Sequence, residues 1–95
     1  MFIVELTYKV PLDQIDQYLE EHVAFLQRQY AAKHFLASGP KVPRNGGIIL
    51  SNVPDQDTLL DILKEDPFQI HDLAEYRILQ FIPRMVAKEL AFLVD

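Results

Sequence analysis

Over the first ten residues, Phe2, Val4, Leu6, Tyr8 and Val10 alternate with Ile3, Glu5, Thr7 and Lys9. A period of two is that of a strand, and Pro11 stops it. After Asp13, a residue suited to capping a helix start, the period changes. Ile15, Leu19, Val23, Leu26 and Tyr30 recur at helical spacing as far as about Ala32, with His22 at the edge of the stripe. The run Phe35 to Ser38 predicts a short strand closed by Gly39-Pro40. Residues 41–47 carry the strongest turn signal in the chain, since Asn45-Gly46 suits a hairpin tip, and 47–53 return as a strand. Asp55 or Asp57 caps a second helix whose apolar side is Leu59, Leu60, Ile62 and Leu63, and Asp66-Pro67 ends it. A last strand runs from roughly Glu75 to Ile82, and the apolar tail from Met85 to Asp95 is predicted helical.

The order β-α-β-β-α-β is the ferredoxin-like arrangement, an α+β fold. It has four antiparallel strands with both helices on one face. We place this domain over residues 1–83, with 84–95 as a C-terminal extension. A sheet covered on one side should alternate apolar and polar residues. Here Ile48-Ile49-Leu50, Ile78-Leu79 and Phe81-Ile82 put apolar side chains on both faces. The expectation is a homodimer packed sheet on sheet, with the extension at that interface or folded back over the same face.

Composition narrows the function classes. The chain has 95 residues, 49% of them hydrophobic, and 14 acids against 9 Lys and Arg give a net charge of −5. Broad binding to nucleic acid or to an anionic membrane needs a cationic face, so neither partner is expected. With no cysteine there is no thiolate nucleophile, disulfide or thiolate zinc site. No uncharged run approaches the roughly 18 residues of a membrane span. MFIVELTYKV carries Glu5 and no basic segment, so it does not read as a signal peptide, and a cytoplasmic location is expected.

Four pieces in order carry a resemblance: His22 in LEEHVAFLQRQYAAK, Leu36-Ala37-Ser38-Gly39-Pro40, Asp66-Pro67-Phe68, and AEYRILQFIP. Together they resemble the YciI-like (YCII-related) family over Met1 to Pro83. The resemblance implies a ferredoxin-like subunit of a dimeric α/β barrel, with a pocket centred on a histidine–aspartate pair that maps onto His22 and Asp66. One branch of the family resembles dehydrochlorinases of chlorinated hydroxyquinones. The wider superfamily includes muconolactone isomerases and small monooxygenases. This chain departs from the family in two places. Leu19, Glu20 and Glu21 stand where many members carry an arginine before the histidine, and Lys33-His34 replace the usual glycine turn.

Such a pair has a definite chemistry. A neutral imidazole takes up a proton near neutral pH, and a carboxylate on its other nitrogen fixes the tautomer and stabilises the cation. That equips a site for proton abstraction beside a carbonyl, isomerisation or elimination of HCl, without a cofactor. Asp66 before Pro67 equally fits a helix N-cap followed by proline, and one oxygen could cap while the other orients His22. Ser38 and the Gly39 backbone, with Pro40, are candidate contacts to a small-molecule ligand, or Gly39-Pro40 merely ends a strand. Phe68 either walls the pocket or fills the core. His71 and Asp72 lie close enough in sequence to the Asp66 corner to reach the same cavity. The spacing of His22, His34 and His71 matches no metal-ligand motif. Lys41 and Arg44, flanking the hairpin tip, either attract an anionic substrate or, the commoner case for cations on an exposed loop, are merely solvated. Asp55, Asp57, Asp61, Glu65 and Asp66 read as a solvated acidic face. The leading expectation is a His22/Asp66 acid–base enzyme on a carbonyl-bearing or phenolic metabolite. The rival is a non-catalytic ligand-binding or accessory domain, and a monooxygenase is a weaker third reading for a chain without Trp.

Overall fold

The computed structural model describes residues 1–94. Its elements are β1 (Phe2–Tyr8), α1 (Leu12–Gln17), α2 (Leu19–Ala31), β2 (Phe35–Pro40), β3 (Gly46–Ser51), α3 (Gln56–Leu63), α4 (Pro67–Ile70), β4 (Ala74–Gln80) and a 3₁₀ segment (Lys88–Leu93). The strands form one antiparallel sheet in the order β2-β3-β1-β4. Helices on one face of such a sheet make the ferredoxin-like α+β fold expected from the pattern.

The alternation in β1 decides which face is buried. Phe2, Val4 and Leu6 are buried and meet Phe25 of α2, Leu59 and Leu63 of α3 and Phe68 of α4 in one core. The opposite face carries Ile3, whose partners across the ladder are Leu50 on β3 and Leu79 on β4. These three form an apolar row on the side without helices, and Leu79 is 48% exposed.

The first predicted helix is two. Tyr18 (φ −112°, ψ 5°) closes α1 and opens α2: its N–H donates to Ile15 O at 3.1 Å and its carbonyl accepts from His22 N at 2.9 Å. Asp13 does not cap; Pro11 holds that position and Asp13 lies in the first turn, where a negative charge complements the helix dipole. The break also turns the buried face. The residues of α2 that enter the core are His22, Phe25 and Gln29, whereas Leu19 and Val23 remain about two-fifths exposed. The predicted stripe Leu19-Val23-Leu26 instead faces a gap between α2 and the β2–β3 side of the sheet.

Lys33 at the end of α2 has φ 63°, the left-handed region glycine usually takes. The His34 N–H reaches Gln29 O at 2.9 Å and the Lys33 N–H reaches Tyr30 O at 3.0 Å. These are the bonds of a Schellman motif, so the turn keeps its glycine geometry without a glycine.

Strand β2 continues through Gly39-Pro40 rather than stopping before it, pairing Gly39 with Ile48 and Pro40 with Gly47. Proline is tolerated because β2 is an edge strand and one side of it needs no donor. Helix α3 is capped by Asp55, whose carboxylate accepts from Thr58 N at 2.8 Å; that backbone bond holds its pKa below the ordinary carboxylate value. α3 ends at Leu63, short of Asp66-Pro67. Asp66 begins α4, with Pro67 in its first turn. The acidic row is therefore solvated except at Asp66, which is fully buried.

The tail is not an α-helix. It forms a 3₁₀ segment interrupted at Leu90, with no buried residue, and Asp95 lies outside the described residues.

Candidate functional site

His22 comes from α2 and Asp66 from the cap of α4, 44 positions apart in the chain. The fold brings His22 Nδ1 to 2.8 Å from Asp66 Oδ1, and the pair is buried. The two jobs considered for Asp66 are both done, though not by one oxygen each. Oδ1 caps α4, accepting from Phe68 N at 3.0 Å, and also meets His22. Oδ2 accepts from the Tyr76 hydroxyl at 2.5 Å.

Tyr76 was not among the sequence candidates. It lies on the core parity of β4, between Ala74 and Ile78, and a phenol entering a core needs a polar partner. That was the available signal. Burial first, then the negative charge of Asp66 and the hydrogen bond to it, push the Tyr76 pKa far above the usual phenol value. Tyr76 therefore stays protonated and donates. Three donors thus converge on the buried Asp66 carboxyl group. Among the described residues no buried side-chain nitrogen or oxygen lacks a hydrogen-bond partner.

This network assigns the histidine tautomer. A carboxylate can only accept, so Nδ1 carries the proton and Nε2 presents its lone pair. Nε2 has no protein partner among the described residues, and His22 lines a cavity of about 410 Å³. Phe68 stacks parallel to the imidazole, with centroids 4.0 Å apart and planes 5° apart. Both readings of Phe68 hold, since it is 1% exposed and also lines the cavity. The ring is thus held at Nδ1 by a charge and across its face by an aromatic plane.

The cavity lies on the helix-covered side, between α2 and the β2–β3 part of the sheet. Ser38, Gly39 and Pro40 line it, so all the proposed contact residues border the same space as His22. The Ser38 hydroxyl is 2.6 Å from the Tyr30 hydroxyl. A Cβ on Gly39 would meet nothing within 4 Å, so its place at the cavity comes from the strand and not from a need for glycine.

Other expectations change. Neither His71 nor Asp72 reaches the cavity: His71 stacks on Tyr18 at 4.1 Å, and Asp72 pairs with Lys9. His34 Nδ1 is 2.7 Å from Gln29 Oε1. Among the described residues, no group of three or more His, Asp and Glu side chains could hold a metal ion. The loop cations are not free. Lys41 lies 3.3 Å from Glu5 Oε2 and 3.3 Å from Thr7 Oγ1, and Arg44 Nη2 lies 2.6 Å from Asp16 Oδ1. Arg44, one of the two loop cations that could attract an anionic substrate, also lines the cavity, as does Tyr8, which the sequence does not single out. No helix among the described residues is long and apolar enough to cross a membrane.

The fold is shared with a solved structure, the 5-chloro-2-hydroxyhydroquinone dehydrochlorinase of Burkholderia phenoliruptrix AC1100 in complex with 2,5-dihydroxybenzoquinone. The superposition has a TM-score of 0.71 at 16% sequence identity, covering 85% of this chain and 93% of that one. No curated protein matches the sequence. The model of the YCII-related domain matches residues 1–82, and the chain belongs to that family.

Proposed function

We propose that this chain is a small acid–base enzyme, working without a cofactor on a carbonyl-bearing or phenolic metabolite by dehydrochlorinase- or isomerase-like chemistry. His22 Nε2 is the base, taking a proton from the substrate as Asp66 steadies the imidazolium through Nδ1. In an isomerisation the same proton returns at another carbon. In a dehydrochlorination the electron pair left by the proton forms the new double bond, chloride departs with the carbon–chlorine pair, and His22 passes its proton to water. Ser38 and the Gly39–Pro40 strand border the substrate, and Phe68 holds the base in plane. The observation that carries the reading is the buried His22–Asp66 bond with the far ring nitrogen left free at the cavity. The fold shared with an enzyme that dehydrochlorinates a hydroxylated ring supports it.

The test is release of chloride from 5-chloro-2-hydroxyhydroquinone, and ring isomerisation of unsaturated lactones, by the wild type and by His22→Ala. The variant should fold as the wild type does and lose roughly 10²–10⁴ of the turnover, the usual contribution of a positioned general base. A folded His22→Ala protein with full turnover would overturn the assignment. Ring ligands that raise the melting temperature of the wild type but emerge unchanged would favour the ligand-binding alternative.

The enzyme acts as a homodimer in this proposal, packed through the outer sheet face. Ile3, Leu50 and Leu79 form a row there, with Leu79 48% exposed. Light scattering should give twice the chain mass, and Leu79→Asp should return it to one. A monomeric wild type across micromolar concentrations would sink the dimer.

A further inference from the structure

We infer that the cavity recognises its substrate as an anion, through Arg44 of the β2–β3 hairpin with Tyr8 beside it. The inference rests on the proposed acid–base reading and adds the charge state of the substrate to it. Most of the wall is apolar: Leu19, Val23 and Leu26 from α2, Pro40 from β2 and Ile49 from β3. Such a slot favours a flat hydrocarbon ring but says nothing of its charge. Arg44 does. It is the single residue with a permanent charge among those lining the cavity, and none of the lining residues is a carboxylate. A cationic spot therefore sits inside a chain whose net charge is −5.

The hairpin and α1 hold the partly exposed guanidinium beside the cavity. The Tyr8 N–H donates to Asn45 O at 2.9 Å, tying the loop to the end of β1, and Lys41 N donates to Gly46 O at 2.9 Å across its base. Asp16 of α1 accepts from Arg44 Nη2 at 2.6 Å, fixing the side chain from the other side. One of the five guanidinium N–H groups is used in that bond, and the Tyr8 phenol lies close enough to interact with the same guanidinium. The remaining fork can grip an oxyanion, for which guanidinium geometry is suited. The hydrogen bond to Asp16 above all, helped by its negative charge and by Tyr8, outweighs the desolvation that opposes it and raises the Arg44 pKa.

The substrate class that fits is a small planar ring or enol bearing an ionised oxygen, a phenolate, enolate or ring carboxylate. Its oxyanion lies at Arg44 and Tyr8, and its ring slides along the apolar wall to present a proton to His22. An anionic ring is also the electron-rich form from which chloride leaves most readily, so the same charge that selects the substrate assists its elimination.

Binding of two ring probes tests this at neutral pH: 2,5-dihydroxybenzoquinone, whose hydroxyls are ionised there, and hydroquinone, which is uncharged. Each is titrated into the wild type and Arg44→Gln. Arg44 and Asp16 are both substantially solvent-exposed, so the variant should fold normally. The wild type should prefer the anion by at least about tenfold. Arg44→Gln should lose roughly 10- to 100-fold for the anion, the range of a charge-assisted hydrogen bond, and change hydroquinone by less than about twofold. Rising salt should weaken the anion alone. An unchanged anion affinity in Arg44→Gln, or equal losses for both probes, would overturn the inference. Equal wild-type affinity for both probes would overturn it too, yet leave His22 chemistry standing. A wild type that binds neither ring would overturn the inference and the acid–base reading on ring substrates together.

Discussion

Replacing Asp66 by Ala should be among the most damaging single changes, lowering stability by about 2–4 kcal/mol. Three donors lose their acceptor at once: the His22 ring N–H, the Tyr76 hydroxyl and the Phe68 amide. Each hydrogen bond to a charged group contributes about 1.5–3 kcal/mol, and a buried donor left alone costs about 1–3 kcal/mol. The three do not add in full, because recovering the desolvation cost of the carboxylate offsets part of the loss. For a chain of this length the melting temperature should fall by roughly 10–25 °C. Asp66→Asn separates folding from chemistry. Its amide keeps the size of the side chain and one acceptor oxygen, so the stability loss should be smaller. Asn no longer stabilises an imidazolium or fixes the tautomer, so turnover should fall by about 10²–10⁴, as expected when a buried acid behind a catalytic histidine is neutralised. Thermal melts alongside turnover of both variants check this. An Asp66→Asn enzyme with wild-type turnover would remove Asp66 from the mechanism and leave it only a helix cap.

Gly46→Ala should prevent folding. A Cβ built on Gly46 falls 1.8 Å from the Leu6 carbonyl oxygen, a backbone atom that cannot swing aside. Gly46 is the first residue of β3 and pairs with Thr7, so relieving the clash means prying β3 from β1 where the cavity begins. The cost should exceed about 4–5 kcal/mol, a large part of the 5–15 kcal/mol that holds an ordinary domain folded. The expected result is insoluble protein, or a soluble chain without a cooperative melt. Gly39→Ala is the internal control, for its Cβ meets open space and its melt should be unchanged. A cooperatively folded Gly46→Ala protein would mean that the two strands separate more easily than this register allows.

The pattern of the sequence was enough to place most elements, because each strand and helix carries its own period. The split of the first helix was not legible. Nothing local marks Tyr18 as a break, since the break serves the packing of α1 and α2 against one another. The same holds for the turn of α2 that sends Leu19 and Val23 to the cavity wall and Phe25 into the core. Helical period identifies a stripe, but which neighbour the stripe meets depends on the sheet beneath it. Gly39-Pro40 reads as a stop, and only the position of β2 at the sheet edge lets the strand run through it.

The candidate site divides along the same line. By itself the sequence determined the fold class and the family, and it named His22 and Asp66 as candidates, because motif order and hydrophobic period are written locally along the chain. Only the tertiary structure decided that their side chains meet at 2.8 Å, that Tyr76 occupies the second oxygen of Asp66, and that Arg44 borders the cavity. Those relations join residues on separate helices, strands and a hairpin. No local period encodes such distances; they are fixed when the elements pack.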